Sequence, residues 1–68
     1  MMLTERENQI LSSLSKGKLN KEIAMEHGIT IDTVKKHVKN IYRKINVRNR
    51  VEAILYINRE KNRTGRHK

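Results

Sequence analysis

Four basic side chains at helical spacing are the part of this sequence best suited to binding a charged partner. Residues 30–44 read TIDTVKKHVKNIYRK. At 100° per residue, Lys36, Lys39 and Arg43 share one side of a helix, and Lys35 lies at its edge. A lysine ammonium can donate hydrogen bonds to guanine O6 and N7 or to a phosphate oxygen. The spacing therefore predicts a surface that can bind a polyanion.

The opposite side of the same helix is apolar. Val38, Ile41 and Ile45 lie within about 40° of Val34, and the four residues form a stripe that we expect to be buried. Residues 33–50 contain no Asp or Glu, so repulsion among the cations has no local compensation. Such a costly arrangement favours a binding site over a face that is merely solvated.

Composition limits the remaining possibilities. The chain has 68 residues and no Cys, Pro, Phe or Trp. It therefore forms at most one domain, without disulfides or thiolate metal sites, and its core must consist of aliphatic side chains. We find neither a stretch long enough to span a bilayer nor a signal peptide, so we expect a soluble, cytoplasmic protein.

Charge is distributed very unevenly along the chain. Residues 1–32 contain four Lys or Arg and five Asp or Glu, whereas residues 33–68 contain twelve and two. A basic half of this kind is typical of a protein that binds nucleic acid. An acidic protein, RNA or a lipid surface remains the alternative partner of a basic helical interaction module.

Capping signals divide the chain into four helices, at about residues 5–16, 21–27, 31–45 and 50–60. We expect a domain at residues 1–60 and a basic, disordered tail at residues 61–68, which contain no apolar side chain. The predicted N-caps are Thr4, Asn20, Thr30 and Asn49, and the predicted helix ends are Gly17, Gly28 and Asn46.

The second and third helices and the tight turn between them, at residues 28–30, are typical of a helix-turn-helix. In that motif the second of the two helices enters the major groove of DNA. The predicted inner residues of the first two helices are Ile10, Leu11, Leu14, Ile23 and Ala24, and the fourth helix carries the apolar residues Val51, Ile54, Leu55 and Ile57.

Residues distributed along nearly the whole chain resemble the LuxR/FixJ-type (GerE-like) helix-turn-helix domain, the output domain of many bacterial response regulators. The similarity continues without a gap from residue 3 to about residue 58, and the basic helix is most similar to the nitrate-response branch. The matching residues are Leu3 to Glu7, Gly17, Asn20 to Ala24, Gly28 to Thr30, Thr33 to Lys35, His37, Val38, Asn40, Ile41, Lys44, Val47 to Arg50, Glu52 and Ala53.

The resemblance implies an all-α, four-helix domain that binds double-stranded DNA as a homodimer, with its third helix in the major groove. Carried over by position, the residues expected to contact bases are Lys35, Lys36 and Lys39. Those expected to contact phosphates are Asn20, Lys21, Thr30, Thr33, Arg43 and Lys44. The fourth helix would form the dimer surface, through Ala53, Tyr56, Ile57 and Glu60.

We expect no enzyme activity, cofactor or metal. The histidines His27, His37 and His67 lie on different segments, without ligand spacing and without a thiol. The family's modules usually follow an N-terminal receiver or sensing domain, so the chain is either an excised output domain or a stand-alone regulator of the kind found in sporulation. His27 departs from the family pattern; we interpret it as a partly buried core residue, with a pH-sensing role as the alternative.

Overall fold

The computed structural model describes residues 3–65, and it describes the side chains of residues 3–60. This part of the chain contains four α-helices and no strand: α1 (Glu5–Ser15), α2 (Asn20–His27), α3 (Ile31–Ile45) and α4 (Arg50–Gly65). The predicted all-α, four-helix fold is confirmed. Because α4 continues past residue 60, the predicted disordered tail is helical as far as residue 65, and residues 66–68 of that prediction lie outside the described residues.

Polar side chains satisfy the N-terminal backbone groups of α1 and α4. The Thr4 N–H donates to Glu7 Oε1 at 2.9 Å, and the Glu7 N–H donates to Thr4 Oγ1 at 3.1 Å, which is a complete capping box. At the start of α4, the Glu52 N–H donates to Asn49 Oδ1 at 2.9 Å. The predicted caps at these two helices are confirmed.

The start of α2 differs from the prediction. Asn20 is the first helical residue, and Leu19 occupies the N-cap position without a side-chain hydrogen bond. The leucine side chain has no hydrogen-bond acceptor. The local side-chain hydrogen bond is therefore one in which the Glu22 carboxylate accepts from the Leu19 N–H at 2.7 Å. The assignment of Asn20 as the cap was wrong by one position.

Two left-handed residues end α2 and α3, as predicted. Gly28 has φ 65° and ψ 36°, and Asn46 has φ 60° and ψ 48°. Each reverses the chain so that the following residue donates its N–H to the helix just ended: Ile29 to the Ala24 carbonyl at 3.0 Å, and Val47 to the Tyr42 carbonyl at 2.9 Å. These turns fix the direction of α3 relative to α2 and that of α4 relative to α3.

The core lies where α1 meets α3 and α4, and where α2 meets α3. Partly buried side chains, among them Ile29, Val38 and Ile45, pack against its edge. The inner residues predicted for α1 and α2, and the apolar stripe predicted for α3, are confirmed. The buried apolar residues are Ile10, Leu11, Leu14, Ile23, Ala24, Val34, Ile41 and Ala53.

The orientation predicted for α4 is wrong. Ala53 is completely buried, and Tyr56 and Ile57 pack against the core, whereas Val51 and Leu55 are 66% and 55% exposed. Both sets repeat at helical spacing, so periodicity alone favours neither. The α4 helix packs mainly against α1, and Ala53 is the only one of its described side chains that is buried. Ala53 therefore cannot contribute to an exposed dimer face, contrary to the prediction, and Tyr56 and Ile57 are only partly exposed.

Candidate nucleic-acid interface

The outer face of α3 is the most concentrated unpaired charge in the described structure. Lys35, Lys36, Lys39 and Arg43 are all exposed. Within residues 3–60, none of these four side chains makes an ion pair or a hydrogen bond. From Lys35 to Arg43 the cations extend along about 12 Å of helix, at 1.5 Å per residue. The predicted basic face is thus assembled and available to a ligand.

The apolar side of α3 fixes the direction in which this basic face points. Val34 and Ile41 are completely buried, so the helix cannot rotate without exposing them. At its N-terminus, the Thr33 N–H donates to Thr30 Oγ1 at 3.1 Å, and the two threonine hydroxyls lie 2.9 Å apart. A base-reading side chain must be held at a defined place, and this packing provides the required rigidity.

Lys44 does not belong to the exposed set. Its Nζ donates to Glu7 Oε1 at 2.8 Å, and the Glu7 side chain is only 6% exposed. The Lys44 ammonium, followed by the Thr4 N–H, lowers the pKa of Glu7 below its ordinary value of 4.5. The positive charge of Lys44 is therefore compensated by the Glu7 carboxylate, and this ion pair joins α3 to the start of α1.

Apart from Arg43, the other predicted phosphate contacts lie at helix N-termini. Asn20 and Lys21 open α2, and Lys21 is exposed. Thr30 caps α3, and its hydroxyl already accepts the Thr33 N–H. Helix N-termini present backbone N–H groups and a positive dipole end, so both positions suit a phosphate oxygen. Arg43 lies at the far end of the α3 face.

Four polar contacts that the sequence did not predict hold the helices around this interface. Lys18 and Ser13 both donate to the Glu26 carboxylate, which joins the end of α1 to α2. The hydrogen bonds from Lys18 and then Ser13 lower the pKa of Glu26. Arg50 Nη2 donates to the Lys18 carbonyl and, at 3.5 Å, to the Leu14 carbonyl. No local sequence signal identifies these pairs, because the partners lie 8 to 36 residues apart.

A second exposed surface lies on α4. Val51 and Leu55, one helical turn apart, are both more than half exposed. Beside them a groove of about 480 Å³ is open between the end of α3 and α4. The residues that line this groove are Ile45, Asn46, Val47, Glu52, Leu55, Tyr56 and Arg59.

The structure partly buries the two tyrosines and His27. Tyr42 and Tyr56 are partly buried and pack against the core, and burial raises the pKa of the Tyr42 phenol. His27 is partly buried; its Nε2 has no hydrogen-bond partner among the described residues and lies 3.9 Å from Glu26 Oε1.

Among residues 3–65, no three His, Asp or Glu side chains lie close enough together to hold a metal ion. None of the described helices combines the length and apolarity that crossing a membrane requires.

Comparison with known proteins supports the same interpretation. The sequence pattern of the bacterial regulatory proteins of the luxR family matches residues 1–57. The response regulator proteins VraR of Staphylococcus aureus, Staphylococcus saprophyticus and Staphylococcus epidermidis are each 53% identical to this chain over 55 residues. The match covers 81% of this chain and 26% of each relative, so the chain spans about a quarter of their length.

A match over most of the chain, together with the four-helix fold, settles the family. Members of this family are non-enzymatic regulators that bind DNA and control transcription. This chain belongs to the luxR family of bacterial regulatory proteins.

Proposed function

We propose that this chain is the output domain of a bacterial response regulator and binds specific double-stranded DNA in the cytoplasm through the outer face of α3. The observation that supports this most strongly is the exposed, unpaired set of Lys35, Lys36, Lys39 and Arg43 on a helix whose other side is buried. The relatives named as response regulators support the regulatory role. A receiver domain would then act on this surface from elsewhere in a longer chain.

In this proposal α3 lies in the major groove, and its lysines have two tasks. Lys36 and Lys39, central on the exposed face, are placed to donate to guanine O6 and N7, and Lys35 lies beside them. The phosphate contacts set the register of the protein on the duplex, and they come from Lys21, Arg43, Asn20, Thr30 and Thr33. Lys44 is left out of this set because its charge is already paired with Glu7.

We further propose that two copies bind DNA together through the exposed face of α4. Val51 and Leu55 form an apolar pair that is more than half exposed among the residues the structure describes. Glu52 and Arg59, which line the adjacent groove, carry opposite charges that a two-fold related copy could match. The patch is small, so we expect dimerisation to depend on DNA with two half-sites about one helical turn apart.

The DNA interface is tested by fluorescence anisotropy with duplex DNA over a salt series. The test variant replaces Lys35, Lys36 and Lys39 with alanine. The control variant replaces three exposed cations outside α3 with alanine, namely Arg6, Lys16 and Arg48. The two variants have the same net charge, so they differ only in where the charge was removed.

We expect the test variant to lose most of its binding, and its salt slope to fall by about two to three. The control should retain a slope close to that of the parent. Equal losses in the two variants would show that only total charge matters, and would contradict the assignment to α3.

The dimer surface is tested by replacing Leu55 with serine, a neutral change at an exposed position. In sedimentation experiments the parent should bind a two-site duplex as a pair, whereas the variant should bind each half-site independently. The affinity for a single half-site and the melting temperature should not fall. Unchanged cooperativity in the variant would exclude this face of α4.

A further inference from the structure

One acidic side chain interrupts the basic face of α3. Asp32, Lys36, Lys39 and Arg43 follow one another at spacings of four, three and four residues, so they form a single stripe on the helix. Asp32 is exposed, and it is the only Asp or Glu in α3. A carboxylate here faces any polyanion that the lysines attract.

The usual structural reasons for such a residue are weak in this chain. Within residues 3–60, the Asp32 carboxylate makes no ion pair and no hydrogen bond, not even with Lys36 one turn away. It is not required as a cap, because Thr30 Oγ1 already accepts the Thr33 N–H. What remains is the general preference for acids in the first turn of a helix, which any exposed aspartate or glutamate satisfies.

Its position in the first turn is where a short side chain can still reach a base. The N-terminal residues of a recognition helix lie closest to the base edges. The carboxylate oxygens of aspartate lie three bonds beyond Cα and the lysine ammonium five, so aspartate could not reach a base from the middle of the helix, where lysine can. An ionised carboxylate only accepts hydrogen bonds, and in the major groove the group that matches it best is the N4 amino group of cytosine.

We propose that Asp32 determines specificity by accepting a hydrogen bond from cytosine N4 at one position in each half-site. Guanine and thymine present acceptor groups there, which repel the carboxylate, and adenine presents its N6 donor beside the N7 acceptor. The neighbouring lysines strengthen binding to all DNA, whereas Asp32 weakens binding to random DNA. The difference in affinity between the target and a random sequence therefore increases. This inference rests on the proposed placement of α3 in the major groove.

The test is selection from a randomised duplex library with the parent, Asp32→Ala, Asp32→Asn and Glu5→Gln. Glu5 is the matched control, an exposed acid in the first turn of α1. Affinities are then measured on the duplex that the parent selects and on a random duplex. Asp32→Asn removes the charge but keeps the shape and one acceptor oxygen, which separates repulsion from hydrogen bonding.

We expect the parent to select cytosine at one position per half-site, with a preference of about five- to tenfold that Asp32→Ala abolishes. Asp32→Asn should change the preferred base there, since an asparagine side chain matches adenine N6 and N7. Both Asp32 variants should bind random duplex about two- to threefold more tightly at low salt, because one repulsive charge is gone. Glu5→Gln should change neither property.

If Asp32→Ala selects the same bases as the parent at every position, the inference is wrong, although the proposed function stands. If the parent itself selects no sequence, or Lys36→Ala binds every duplex as the parent does, the placement of α3 in the groove fails and the inference fails with it.

Discussion

Replacing Lys44 with methionine separates a structural lysine from a DNA-binding one. Lys44 Nζ donates to Glu7 Oε1 at 2.8 Å, and Glu7 is 5% exposed. Methionine keeps much of the aliphatic length but removes the donor, so the buried carboxylate retains only the Thr4 N–H. Breaking a fully buried pair costs about 3–5 kcal/mol. The Lys44 side chain is a quarter exposed, so water replaces part of the loss and we expect about 2 kcal/mol.

The loss should depend on pH in a defined direction. The pKa of Glu7 is lower in the folded protein than its ordinary 4.5, chiefly because of Lys44. The folded state therefore binds fewer protons than the unfolded chain between these two pKa values. The resulting stability is fully present above 4.5 and disappears as the pH falls through the folded-state pKa. The difference between parent and Lys44→Met should be largest near neutral pH and shrink in acid.

Urea unfolding followed by circular dichroism, near neutral pH and near pH 3, measures both effects. Lys36→Met is the matched control on the same helix, because Lys36 is exposed and unpaired; we expect a change within about 0.5 kcal/mol. Adding Glu7→Gln to Lys44→Met should recover part of the loss, since no buried charge then remains. A Lys44→Met variant as stable as Lys36→Met at neutral pH would refute the assignment.

Three further changes test how the helices around α3 are held in place. Thr30→Ala removes the acceptor of the Thr33 N–H and should cost about 1 kcal/mol in urea unfolding, whereas Thr30→Ser should cost much less. Asn46, at φ 60°, should tolerate glycine with little change in melting temperature, but Asn46→Ala should destabilise the fold by about 1 kcal/mol; equal effects would contradict a left-handed end to α3. Arg50→Lys should cost about 1–2 kcal/mol, because lysine cannot reproduce the guanidinium contacts with the Leu14 and Lys18 carbonyls. Hydrogen exchange should then quicken at the end of α1, and an unchanged exchange rate there would exclude this role.

The parts of the fold that were predicted correctly depend on short-range signals. The Thr4 and Glu7 capping box, the left-handed turns and the apolar stripe of α3 each involve residues within a few positions of one another. Backbone hydrogen bonding and helical periodicity are local, so the sequence displays them directly. The same signals located the exposed lysines, because a stripe of buried Val34 and Ile41 leaves only one side for them.

The parts that were missed depend on packing between distant segments. On α4, Val51 with Leu55 and Ala53 with Ile57 satisfy helical spacing equally well, and larger side chains were favoured for the core. In the structure, the small Ala53 side chain is the one that is buried in the core. Glu7 was already explained by its cap, so nothing local indicated that Lys44, 37 residues later, shares its carboxylate. Such choices are decided by tertiary contacts rather than by propensity.

The most direct test of the central claim is an NMR titration of the 15N-labelled chain with a duplex selected for binding. If the outer face of α3 is the DNA interface, the largest amide shifts should fall on residues 30–43 and at the start of α2, near Lys21. Shifts on α1 away from α2 should be small. Largest shifts on α1 or on the core-facing side of α4, with α3 unaffected, would contradict the account.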